Sequence, residues 1–303
     1  MGVVVLAVVA VTMAYWLSGR ETAPLDAEAR ARLGGDYIRL SDGVTHYKWA
    51  GPIDGPVVVF IHGGTVPHWT WELHVPGMVK AGFRVLLYDL YGRGYSDRVA
   101  APHDRALYAR QLGDLLDGLQ VRGRPHLVAT SFGGAIAAHF VAQNPRRAGS
   151  LVLVAPMVNS VEIPIVKLLK LPVIGPVLLR LVGIPAFEKR ARAFFALGPE
   201  PERYGQLYAE QFTWEGTEQV FLSILKTDAM GDYRPDYRKA GAGGRRVLII
   251  RGSRDTEITA EAISQARQAM PEAEYVELPG IGHGAVIEAM QRVNDLIVGF
   301  LKS

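Results

Sequence analysis

One stretch constrains this chain more than any other: His126-Leu-Val-Ala-Thr-Ser131-Phe-Gly-Gly-Ala-Ile-Ala-Ala138. It reads as a short apolar strand, a sharp turn at Ser131, and a helix start built from alanine and glycine. The core of it, Ala129-Thr130-Ser131-Phe132-Gly133, has the form of a G-x-S-x-G nucleophile elbow with alanine at the first glycine. Small residues at 129, 133 and 134 let the strand and helix backbones come close. A buried serine in an ordinary strand-to-helix turn is the plainer alternative. The elbow is favoured only if a base and its partner exist elsewhere in the chain.

Candidates for those partners stand in order along the sequence. Val57–Ile61 is a continuous apolar run that ends in His62-Gly63-Gly64, and Arg84–Tyr88 leads to Asp89-Leu-Tyr-Gly-Arg-Gly-Tyr-Ser96. Ser150–Ala155 is apolar, and Arg246–Ile250 precedes Gly252-Ser-Arg-Asp255. Glu274–Leu278 leads to Gly282-His283-Gly284. Continuous apolar runs mark strands covered on both faces. Between them, residues 71–81, 104–120, 132–144, 260–270 and the stretch up to Leu301 have helical spacing. The alternation predicts an α/β fold with a mostly parallel sheet and helices on both faces. Tyr37–Leu40 and Val44–Trp49 flank Ser41-Asp42-Gly43 and read as a hairpin ahead of it.

On these five motifs, the chain from about Val57 onward resembles the α/β-hydrolase family. The resemblance implies a division into a core of residues 36–156 and 241–303, and a helical cap of residues 157–240 inserted into it. It also implies roles: Ser131 as nucleophile, His283 as general base and then acid, and Asp255 as the acid that orients it, with Glu257 as fallback. The backbone N–H groups of Gly64 and Phe132 would form the oxyanion hole. Serine needs such a base at neutral pH, and the base needs an orienting partner. A serine at the elbow argues against the epoxide hydrolases and haloalkane dehalogenases of the family, which carry aspartate there. Asp89 is expected to brace the loop that follows it.

The reaction expected is hydrolysis of carboxylic esters through an acyl-serine, as in esterases and membrane-anchored monoacylglycerol lipases. C–C bond hydrolysis, cofactor-free perhydrolysis, or a non-catalytic binding role are the alternatives. The first half of the insertion, Ile163–Val182, is interrupted only by Lys167, Lys170 and Arg180, and this favours an apolar, lipid-like substrate. The chain holds no cysteine, so disulfides and thiolate chemistry are excluded. No metal constellation or phosphate-cradling loop is evident, and no cofactor is expected. A formal charge of +3 without a basic block gives no sign of a nucleic-acid partner.

Residues 1–19 contain an almost unbroken apolar run, Val3–Leu17, ended by Tyr15 and Trp16. They are expected to form a single N-terminal membrane anchor, followed by a linker at 20–35. Arg20, Arg30 and Arg32 follow the run and would leave the catalytic part in the cytoplasm. A cleaved signal, with a secreted or periplasmic product, is the alternative.

Overall fold

The structure is a computed structural model that describes residues 2–160 and 164–303. Its centre is an eight-stranded sheet in the order β1-β2-β4-β3-β5-β6-β7-β8. The strands are β1 (Asp36–Arg39), β2 (Val44–Ala50), β3 (Val57–Ile61), β4 (Arg84–Tyr88), β5 (His126–Thr130), β6 (Leu151–Val154), β7 (Val247–Gly252) and β8 (Glu274–Leu278). The hairpin β1–β2 joins antiparallel, and β3 to β8 are parallel. This is the α/β-hydrolase fold expected from the sequence.

Strand periodicity explains why both faces are covered. Val59, Ile61, Leu127, Ala129, Leu151, Leu153 and Ile249 point into one core, with Leu112, Leu116, Ala135 and Ala266 from helices Arg105–Gly118, Phe132–Gln143 and Ala260–Ala269. Their neighbours Val58, Phe60, Val128, Val152, Val154 and Ile250 point the other way, against Met78, Val293 and Ile297 of helices Val75–Lys80 and Met290–Lys302. Successive side chains leave a strand on opposite faces, so each run needs apolar residues at every position. Helix starts are fixed by capping. The side chain of Asp104 accepts from Leu107 N at 2.7 Å, and that of Thr259 from Ala262 N at 3.2 Å. The helix expected over residues 71–81 is split instead. A 3₁₀ stretch His68–His74 precedes helix Val75–Lys80, which carries Pro76 in its first turn, where a missing N–H costs least.

Between β6 and β7 lies a run of short helices. Helix Arg234–Gly241, the last of them, packs on Phe132–Gln143 and Ala260–Ala269 as part of the sheet's own cover. Two of the others, Ile184–Phe195 and Pro201–Glu210, reach the 3₁₀ stretch after β3 through aromatic contacts. Trp69 of the 3₁₀ stretch meets Phe195 and Tyr204 at ring separations of 5.3 and 5.6 Å.

The N-terminal anchor requires correction. Residues Gly2–Leu17 are helical, but among the described residues no helix is long and apolar enough to cross a membrane. A helix of this length rises about 24 Å, against a hydrocarbon core of about 30 Å. The arginines that suggested an orientation are also engaged within the protein: Arg20 with Glu188, Arg30 with Asp97, and Arg32 with Glu28. The helix is tied to the inserted segment instead. The Arg180 guanidinium lies 4.0 Å from the Tyr15 ring centre, and its Nη1 donates to the Tyr15 carbonyl at 3.2 Å.

Candidate active site

Ser131 sits between β5 and helix Phe132–Gln143 at φ 52° and ψ −122°. A residue with a side chain adopts this region only under strain, which neighbouring contacts must hold in place. Here the Ser131 N–H donates to Val154 O and its carbonyl accepts from Met157 N, both at 3.0 Å. Gly133 makes the turn possible. A Cβ there would lie 2.4 Å from the His62 carbonyl and 2.6 Å from that of Ile61. Ala129 is fully buried in β5 and fits where glycine is usual.

The elbow's helix and the turn after β3 come together. A Cβ on Gly64 would stand 3.4 Å from that of Phe132. The N–H of Phe132, the first residue of its helix, has no intrahelical acceptor. His62 fixes the turn. Its Nδ1–H donates to Gly63 O at 2.7 Å, and its Nε2 accepts from Leu90 N at 2.9 Å. That pair of bonds requires a neutral ring, and burial pushes the imidazole down to about 4.

His283 lies in the loop after β8. Its Nδ1–H donates to Asp255 Oδ2 at 3.0 Å, and its Nε2 is 3.2 Å from Ser131 Oγ. Asp255, after β7, is buried, and its other oxygen accepts from the N–H groups of Glu257 and Ile258 at 2.9 Å. Burial works to raise the Asp255 carboxyl. The His283 bond and these two N–H groups outweigh it and hold the group below its ordinary value. Glu257, the fallback acid, lies 3.7 Å from His283 Nε2 and pairs with Arg190 at 3.1 Å. The Nδ1 side thus belongs to Asp255. A hydroxyl, an imidazole and a carboxylate aligned in this way have the geometry that acyl transfer requires.

Glu288 was not foreseen. Its two carboxylate oxygens accept from Gly282 N at 2.9 Å and Gly284 N at 3.1 Å, bracketing His283. An acidic residue five positions beyond a glycine-flanked histidine was the available signal.

Asp89 braces its loop as expected, and more besides. One oxygen accepts from His68 N and His68 Nδ1, the other from Tyr95 N and His46 Nδ1, all at 2.8–3.0 Å. These three side chains offer metal-type atoms within 4.8 Å of one another. Four N–H donors nonetheless saturate the carboxylate, and the backbone of Gly35 packs against His46 Nε2. The cluster reads as a hub joining β2, the 3₁₀ stretch and the loop after β4.

A model described as the alpha/beta hydrolase family matches residues 58–296. A bifunctional esterase/perhydrolase of Acinetobacter calcoaceticus is 25% identical over 298 residues, covering 88% of this chain and 99% of the relative. A 2-hydroxy-6-oxo-6-phenylhexa-2,4-dienoate hydrolase of Comamonas testosteroni is 38% identical over 121 residues, covering 39% of this chain and 41% of the relative. Among solved structures, an enol-lactonase from Burkholderia xenovorans LB400 superposes with a TM-score of 0.73 at 21% identity, covering 88% of this chain and all of the other. That likeness bears on the fold.

Proposed function

The chain belongs to the alpha/beta hydrolase family, and from that premise we propose that it cleaves carboxylic esters with apolar acyl chains through an acyl-serine. One observation carries the reading: the line of hydrogen bonds from Ser131 Oγ through His283 to Asp255. In this reading His283 Nε2 takes the Ser131 proton as Oγ attacks the ester carbonyl. The oxygen of the tetrahedral intermediate faces the N–H groups of Gly64 and Phe132, and fixed donors at that point are worth most in the transition state. His283 then protonates the leaving alcohol, and Asp255 stabilises the imidazolium meanwhile. Water repeats the sequence to release the acid. Aromatic side chains beside the site support an apolar acyl group: a Cβ on Gly284 would lie 2.7 Å from the Phe194 ring.

A second reading has a specific observation behind it, the dienoate hydrolase that is 38% identical over part of the chain. C–C bond hydrolysis would use the same three side chains. So would perhydrolysis, named for the relative from Acinetobacter. Labelling with a fluorophosphonate, together with p-nitrophenyl esters from acetyl to palmitoyl, separates ester cleavage from C–C bond cleavage. We expect labelling that Ser131→Ala abolishes and ester turnover that peaks at medium or long chains. Labelling without any ester turnover would move the assignment to C–C bond cleavage.

We also infer contact with a membrane surface, without a spanning helix. Nearly all the exposed large apolar side chains of the described residues fall in two stretches, Val5–Leu17 and Ile165–Val182, with Trp16 at 75% and Val173 at 77% exposure. The stretches meet at Arg180 and Tyr15. Residues 163–187 hold no acid, while Lys167 and Lys170 are exposed. An apolar surface with cations beside it suits an anionic bilayer. Vesicles rich in phosphatidylglycerol should co-sediment the full chain, and removal of residues 1–19 should weaken binding while ester turnover is largely kept. A full-length chain that stays in the supernatant would end this reading.

A further inference from the structure

The turn that carries Gly64 lies outside any helix or strand. Its three successive carbonyls are instead held by three side chains. The Nδ1–H of His62 donates to Gly63 O at 2.7 Å, the Nε–H of Arg93 donates to Gly64 O, and the Nε2 of Gln211 donates to Thr65 O at 3.0 Å. A peptide unit is planar, and its C=O and N–H point in opposite directions. Fixing Gly63 O therefore aims the Gly64 N–H, and fixing the next two carbonyls stops that unit from rotating.

Two of these holds reach outside the turn. Arg93 belongs to the loop after β4, and Gln211 to a 3₁₀ turn, Gln211–Thr213, within the inserted helices. Both are buried. The Arg93 guanidinium lies 4.1 Å from the ring centre of Phe221, on the inserted helix Thr217–Lys226, and its Nη1 donates to Gly92 O at 2.9 Å. Among the described residues no carboxylate pairs with it. A buried guanidinium without a counter-ion is costly, and two carbonyls and a ring face offset only part of that. Its positive charge is held against the carbonyl of Gly64, the residue whose N–H faces the developing negative charge in the proposed reaction.

We propose that Arg93 and Gln211 are positioning residues that set the Gly64 N–H, so that oxyanion stabilisation depends on the inserted helices being seated. The inference rests on the reading of Ser131 and Gly64 given above. Its first consequence is kinetic: loss of either hold lowers kcat and leaves KM nearly alone. Its second is that the two holds act through one turn, so their losses are not additive.

The test uses the full chain with Arg93→Met and Gln211→Met, which keep bulk and remove the donors. Loss of an oxyanion donor outright costs about 10²–10³-fold, and a donor merely misaimed should cost roughly 10–100-fold in kcat. We expect that fall with KM within a small factor. The inhibition constant of an aryl boronic acid, whose tetrahedral adduct places an oxygen in the same hole, should rise in step. Arg93→Lys keeps the charge but not the Nε donor, and gives the same readout if Arg93→Met does not fold. Wild-type kcat in the variants, or reduced kcat with unchanged boronate affinity, overturns the proposal. Failure of the underlying reading looks different: the wild-type chain itself would neither turn over esters nor label at Ser131.

Discussion

The Nε2 of His283 stands 3.2 Å from the Oγ of Ser131, across 152 positions of sequence. The contact depends on β5 and β8 presenting their C-terminal ends on the same side of one sheet. If the imidazole is the base, His283→Ala should lower kcat by about 10⁴–10⁶-fold, as loss of a base does in comparable triads. The fold should survive, because the side chain is only half-buried. Circular dichroism beside ester kinetics checks both statements, and retained turnover would mean that the base lies elsewhere.

Asp255→Asn should cost roughly 10³–10⁴-fold in kcat. The amide keeps the shape but presents a donor or a neutral acceptor to Nδ1, so the ring loses its preferred tautomer. Glu257→Gln should cost little, since its carboxylate faces Nε2 at 3.7 Å and pairs with Arg190. A large effect at 257 and a small one at 255 in the same ester assay would reverse the assignment of the acid.

The strands and the three side chains that meet at Ser131 were legible for a common reason. Buried parallel strands demand unbroken apolar runs, and the turns that end them demand small residues at fixed places. Ser131, Asp255 and His283 all sit in such turns. Arg93, Gln211 and Glu288 were not legible, because each acts on a backbone group contributed by another segment. A side chain that holds a carbonyl leaves no spacing pattern of its own. The apolar run at the N-terminus misled in another way: hydropathy reported its composition correctly, but the helix ends at Leu17, too short to cross.

Glu288→Gln tests one of these hidden contacts. The amide offers one oxygen for two N–H groups, so either Gly282 N or Gly284 N loses its acceptor. An unsatisfied donor of this kind costs about 1–3 kcal/mol. We expect a lowered urea midpoint together with a fall in kcat of about tenfold, since a misplaced base of this kind slows the chemical step. If the midpoint falls while kcat holds, the carboxylate is structural only.

At the elbow, the small residues Ala129 and Gly133 should differ in how much change they tolerate. Gly133→Ala places a methyl group 2.4 Å from the His62 carbonyl, and backbone must move to accept it. That should cost about 3 kcal/mol and displace Ser131, seen as lost fluorophosphonate labelling. Ala129→Gly should cost about 1 kcal/mol through chain entropy alone, with labelling kept. Equal tolerance at both positions would show that the turn is looser than its contacts imply.

Buried histidines set the response to acid. His62, His74 and His103 are held neutral by burial, each down to about 4 from an ordinary value of 6.5. Between those values the unfolded chain binds protons that the folded chain refuses, so stability falls as pH drops through that window, by up to about 1.4 kcal/mol per pH unit for each ring. His68 works the other way: charge on Asp89 raises it despite burial, so its contribution is present at acid pH and fades as pH rises. Burial also lowers His46 and His126; five rings against one leave a net loss, and urea midpoints should drop steeply from pH 7 to pH 5. His74→Gln keeps a donor for the Val286 carbonyl, now bonded to Nε2 at 2.9 Å, but cannot take up a proton. Its midpoint should start lower and fall less steeply, and parallel slopes for the two proteins would place the acid sensitivity in other groups.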